Sequence, residues 1–152
     1  MPSSFRFRPR YRGVAWTAIG LGGSLGGVAV AVMGAALVPI ATGVLGIALG
    51  ASYLASPTWR LEVVVDDDAL EVRSPRGTRF RLAWADVVKV VASPSTHTCF
   101  VDGGAPERSL LVPGVGAPAP YAIEDRDGLY AAIVARVAPE KVREVETLET
   151  AG

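Results

Sequence analysis

Arg73, Arg76, Arg79 and Arg81 fall within nine residues of chain, and they have the clearest chemical reach of any side chains in this sequence. A guanidinium group is planar and permanently charged, and it meets phosphate oxygens through paired N–H donors. Arg79 and Arg81 stand two apart in a stretch where polar and apolar residues alternate, so a strand would place both on one face. Held near a bilayer, such a hairpin would meet anionic lipid headgroups. The plainer alternative is a solvated strand face whose arginines pair with Glu62 and Glu71 across the sheet.

Other reactive residue types are sparse. His97 is the only histidine and Cys99 the only cysteine. Their alternation would place two soft ligands on one strand face, but a zinc site needs three or four protein ligands. Asp66, Asp67 and Asp68 lack the spaced oxygen ligands and closing glutamate of a calcium loop, and read as an acidic turn. A Ser–His or Cys–His pair would have to use His97, and no serine sits in a nucleophile-elbow glycine pattern. The glycine runs lack the Lys-Ser or Lys-Thr that follows a phosphate-binding loop. The sequence therefore predicts a non-enzymatic protein with no metal and no cofactor.

The elements that would position these residues follow from how charge is distributed. Overall, 50% of residues are apolar and 20% charged, and the net charge is zero. From Gly13 to Trp59, 47 consecutive residues contain no Asp, Glu, Lys, Arg, His, Asn or Gln. Arg6, Arg8, Arg10 and Arg12 precede this run, and 11 basic and 15 acidic residues follow it. No concentrated basic face of the kind that binds nucleic acid is present.

At 1.5 Å per residue, 47 helical residues would extend about 70 Å, more than twice the ~30 Å hydrocarbon core. Two passes fit, with spans near residues 14–34 and 38–56 and a break between Gly34 and Pro39, where proline suits the first turn of the second helix. Basic residues flank both outer ends, so the positive-inside bias puts the N-terminus and the later domain in the cytoplasm, in a multi-pass protein of the inner cell membrane. Trp16, Tyr53 and Trp59 would lie at that same interface as aromatic anchors. The rival is a cleaved signal peptide ending near Ala29-Val30-Ala31, which the long continuation of the apolar run disfavours.

Small residues let helices approach closely in lipid. Gly20, Gly23, Gly27 and Gly34 recur on one face of the first span, and Gly43, Gly46 and Gly50 on one face of the second. They predict a hairpin packed on itself, with dimerisation or docking to another membrane protein as alternatives.

After Trp59 the period becomes two. Strands are predicted at Trp59–Val65, Leu70–Arg73 and Arg79–Trp84, joined by turns at Asp66–Asp68 and Ser74–Gly77. Shorter strands are expected at Val87–Ala92, Thr98–Val101, Ser109–Val112 and Pro120–Ile123. Asp125 can cap a helix running to about Ala138, where Pro139 stops it. The organisation expected is thus a basic cytoplasmic tail over residues 1–12, a transmembrane hairpin over 13–58, a β domain with C-terminal helix over 59–138, and a charged tail over 139–152. That tail, with Val142, Val145 and Leu148 as a thin apolar stripe, reads as a marginal helix or as disordered.

The order of hairpin, short strands and closing helix resembles the bacterial membrane-anchored pleckstrin-homology-like (PH-like) proteins. The residues that carry the resemblance are Arg79-Phe80-Arg81-Leu82-Ala83-Trp84 leading into Asp86-Val87-Val88-Lys89-Val90, and the helix start Asp125-Arg126-Asp127-Gly128-Leu129. The resemblance implies a membrane α-hairpin plus an α+β domain: two transmembrane helices followed by a PH-like antiparallel β-barrel or sandwich with a C-terminal helix. It supplies no catalytic residues. The expected role is a cytoplasmic interaction module for a protein partner, with a headgroup sensor and a hairpin-docked accessory subunit as alternatives.

Overall fold

The computed structural model describes residues 2–34 and 37–146. The chain divides into two compact units: the residues up to Arg8 together with those from Thr58 onward, and Pro9–Pro57 between them.

The intervening unit is a helical hairpin of α1 (Arg12–Met33, 22 residues) and α2 (Leu37–Leu54, 18 residues). At 1.5 Å per residue these are about 33 and 27 Å long, near the thickness of a hydrocarbon core. Gly34 adopts φ +68° at the end of α1, a conformation open to glycine at little cost, and Pro39 falls in the first turn of α2 as expected. The Tyr11 amide donates to the Tyr53 hydroxyl at 2.9 Å, joining the two outer ends of the hairpin.

The helices meet along small residues spaced by seven. Ala15, Gly22 and Ala29 are buried on α1, and Gly43 and Gly50 on α2. A Cβ at Gly22 would lie 2.5 Å from the Gly43 carbonyl oxygen; one at Gly50 would lie 2.7 Å from the Ala15 oxygen. A Cβ at Gly46 would lie 3.2 Å from the Ala18 oxygen. Gly43, Gly46 and Gly50 therefore face the opposite helix closely. The α1 stripe does not: Gly20, Gly23 and Gly27 are exposed with open space beside them, and Gly34 forms the turn. Helix α1 carries small residues on two faces, and the one holding Ala15, Gly22 and Ala29 receives α2.

The other unit holds two sheets. The first has the order β4-β3-β2-β1-β8, and the second β7-β6-β5-β9. The strands are β1 (Ser3–Pro9), β2 (Glu62–Val65), β3 (Ala69–Ser74), β4 (Gly77–Ala83), β5 (Lys89–Ser93), β6 (Thr98–Asp102), β7 (Leu110–Val112), β8 (Tyr121–Ile123) and β9 (Val142–Glu144). Alternation puts Val63, Val65, Leu70, Val72 and Leu82 of the first sheet and Val90, Ala92, Cys99, Val101 and Val112 of the second into one core. Helix α3 (Arg126–Arg136) closes it with Leu129 and Ile133, both fully buried. Asp125 caps α3 by accepting from the Gly128 amide at 3.3 Å.

Two segments differ from the expected organisation. The stretch read as a basic tail is β1, antiparallel to β2 with Phe5 opposite Val63 and Arg6 opposite Glu62. Its alternation sends Phe5 and Phe7 into the core while Arg6 and Arg8 stay exposed. From Pro139 the described chain is neither a marginal α-helix nor a free tail: a short 3-10 turn over Pro139–Lys141 leads into β9, which runs parallel to β5 with Val142 opposite Val90, and the Val145 amide donates to the Ala92 carbonyl at 2.9 Å. Leu148 lies outside the described residues.

The β domain is therefore built from chain on both sides of the hairpin. Deleting residues 2–9 removes two core phenylalanines, each worth about 3–5 kcal/mol, and should leave the domain unfolded by near-ultraviolet circular dichroism. Replacing Arg10–Ser56 with a flexible linker should leave it folded. In the hairpin, Gly22→Leu should cost about 1–3 kcal/mol of stability by overpacking, whereas Gly23→Leu should cost nothing measurable in detergent thermal melts.

Candidate functional site

The outer face of the first sheet carries ordered rows of charge. Cross-strand register aligns Arg6, Glu62 and Arg73 in one row, and places Glu71 opposite Arg81 in the next. Arg73 Nη2 donates to Glu71 Oε2 at 2.8 Å, and the Thr78 hydroxyl donates to the other Glu71 oxygen. Hydrogen bonds from Arg73 and Thr78 hold the Glu71 carboxyl down at about 2, with the charges of Arg73 and Arg81 adding to the effect. Arg73 thus pairs with a carboxylate on its own strand, and Arg81, across the sheet from Glu71, contributes only its charge; among the described residues neither makes the cross-strand ion pair of the plainer expectation.

Arg76 and Arg79 are placed differently. Arg76 is exposed in the β3–β4 turn. The β3–β4 register slips between Val72 and Arg73, so that Phe80 faces Val72, Thr78 faces Arg73, and Arg79 has no cross-strand partner. Such a bulge re-aims the side chain at the extra position. Arg79 lines a hollow of about 180 Å³ whose walls include Phe7, Val72, Phe80, Leu110 and Tyr121. The four arginines therefore do not converge on one anion.

Tyr121 joins that hollow to a second one. A neighbouring depression of about 440 Å³ shares Pro106, Ser109, Leu111 and Tyr121 with it and extends to Phe100 and Asp102. The Tyr121 ring lies 5.0 Å from that of Phe7, its hydroxyl donates to the Leu111 carbonyl at 2.8 Å, and burial pushes its phenol pKa up. A third hollow of about 330 Å³ is lined by Arg6, Trp59, Arg60, Leu61, Glu62, Ser74 and Pro75. Sequence reasoning passed over Phe7, Tyr121, Arg6 and Arg60. The alternation Phe5-Arg6-Phe7-Arg8 was the signal that marks the strand presenting two of them.

The remaining candidates are dispersed. His97 lies not in a strand but in the turn before β6, at φ +53°, with its Nδ1 2.8 Å from Asp127 Oδ1. Cys99 is fully buried in the core, and burial pushes its thiol up to about 12. Asp66, Asp67 and Asp68 form the β2–β3 turn, where Asp67 accepts from Arg136 at 3.3 Å. Among the described residues no group of three or more His, Cys, Asp or Glu side chains is disposed to hold a metal ion. Comparison with known protein families, with curated proteins and with solved structures finds no match to this chain.

The depressed Glu71 pKa has a stability consequence. Its contribution is fully present above the usual value of 4.5 and is lost as pH falls towards about 2. Glu71→Gln should therefore cost about 1 kcal/mol at neutral pH, discounted for partial solvent screening, with the gap to wild type closing in acid. Thermal melts of both proteins across that acid range check it.

Proposed function

We propose that this chain is a two-span membrane protein whose β domain is a non-enzymatic docking module, receiving an extended segment of a partner protein at the inner face of the cell membrane. Support for the spans comes from their length and from what they leave uncovered. Apart from Val88 and Val115, every large hydrophobic side chain exposed among the described residues belongs to the helical unit. Water does not tolerate an apolar surface of that extent, and lipid does. Because β1 precedes α1 and β2 follows α2 in one sheet, a spanning hairpin must start and end on the same side of the bilayer. Arg10 and Arg12 favour the cytoplasm for that side. Cleavage after Ala31 would strip β1 from its sheet, which argues against a signal peptide.

The observation that carries the docking role is the flank of β4. This seven-residue strand ends its sheet and contributes Arg79 and Phe80 to the hollow that continues past Tyr121. An end strand offers backbone donors and acceptors to an added strand, and a pocket alongside selects its side chains. Arg76 and Arg79 make no ion pair among the described residues, so the segment that fits best is extended, with an apolar anchor and acidic neighbours. Two sheets closed by α3 are compatible with the PH-like resemblance, to which β1 and β9 would be additions.

A photo-crosslinking amino acid at Arg79 or Leu111 in the full chain, expressed in its own membrane, tests this reading. The adduct should map to an extended segment of a partner. Phe80→Ala or Tyr121→Ala should reduce its yield about tenfold, as removal of an interface anchor does. Equal adducts from Glu140, which lines neither hollow, would contradict the proposal.

A further inference from the structure

We infer that the hollow lined by Arg6 and Arg60 is a binding site for the phosphate of an anionic lipid headgroup. These guanidinium groups take part in no ion pair or side-chain hydrogen bond among the described residues, although both reach one depression of about 330 Å³. Trp59 and Ser74 complete its walls. At about 30 Å³ per water, the volume equals roughly ten water molecules, enough for a phosphate with its two ester arms. Two guanidinium forks on one cavity match tetrahedral phosphate oxygens. The carboxylate on the wall, Glu62, accepts from the Ser4 hydroxyl at 3.0 Å and faces Arg6 and Arg73 on either side in its row, so the row remains positive.

Chain connectivity points to a lipid as the source of that phosphate. Arg6 lies three residues before Pro9 and Arg60 three residues after Pro57, the two ends of the helical unit. At no more than about 3.5 Å per residue, each arginine stays within roughly 10 Å of those ends however the units are angled. If the hairpin spans a bilayer, that is headgroup depth, where phosphate is abundant and basic side chains are attracted. The inference rests on the spanning reading for its source of phosphate, while the site rests on the β domain alone. It moves anion recognition from the β3–β4 arginines to residues on both sides of the hairpin.

The test uses the full chain in a neutral detergent, titrated with soluble dihexanoyl phosphatidylglycerol, dihexanoyl phosphatidylcholine or inorganic phosphate and followed by native mass spectrometry. Wild type should bind the anionic lipid saturably, about tenfold tighter than the neutral lipid or inorganic phosphate. R6Q/R60Q should lose about tenfold in affinity, R6K/R60K should fall between, and R76Q/R79Q should bind as wild type. Both target side chains are exposed, and unchanged circular dichroism verifies the fold. Undiminished binding by R6Q/R60Q would overturn the site, as would loss confined to R76Q/R79Q. Inorganic phosphate binding as tightly as the anionic lipid would overturn the lipid assignment. Alkaline carbonate extraction of native membranes tests the spanning reading separately.

Discussion

The pairing of β1 with β2 is the interaction on which the rest of this molecule depends. Phe5 stands opposite Val63 and Ser3 opposite Val65, so residues from before the hairpin sit in the interior of a sheet whose other strands come after it. Backbone hydrogen bonds set the register, and burial of Phe5 and Phe7 supplies the driving force. The consequence is geometric. A chain that leaves a domain through one strand and returns to it through the adjacent one can make only an even number of membrane crossings. If the hairpin spans a bilayer, this pairing alone puts its two ends on one side, and the arginines bear only on which side that is.

Within the hairpin, packing relies on a different force. If the hairpin lies in lipid, whose tails are as apolar as leucine, its helices gain little from burying hydrocarbon and more from close backbone approach. The seven-residue repeat of Ala15, Gly22 and Ala29 against Gly43 and Gly50 provides that approach. The bulky residues Leu21, Leu25, Leu45 and Leu49 are left facing outward. The Tyr11–Tyr53 hydrogen bond then fixes the two ends beside each other, as a sheet fed by both of them requires.

Much of this was legible in the sequence where a single period dominates over a long stretch. The uncharged run fixes two helices and their turn, and strict alternation reveals β2, β3 and β4 to within a few residues. The same rule exposes β1, but arginines at Arg6, Arg8, Arg10 and Arg12 make the segment read as a basic tail unless the phenylalanines between them are weighed. Strand β9 has no such signature: Val142–Glu144 is three residues long, and its partner β5 lies some fifty residues earlier. Which of two small-residue faces on α1 meets α2 is decided by the partner helix, and periodicity alone is silent on it. Arg79 was misplaced because a one-residue bulge defeats counting by twos.

The chemistry of the β domain follows from these placements. Glu71 takes up Arg73 along its own strand and faces Arg81 across the sheet, the bulge turns Arg79 towards an apolar hollow, and β1 brings Arg6 into the same depression as Arg60. The last of these placements depends on β1 being a strand. The most direct measurement is amide hydrogen exchange on the full chain in detergent, read at Phe5 and Phe7 against Val63 and Val65. The account predicts that residues of β1 exchange as slowly as those of β2 and open together with them; exchange of β1 at the rate of an unstructured tail while β2 remains protected would contradict it.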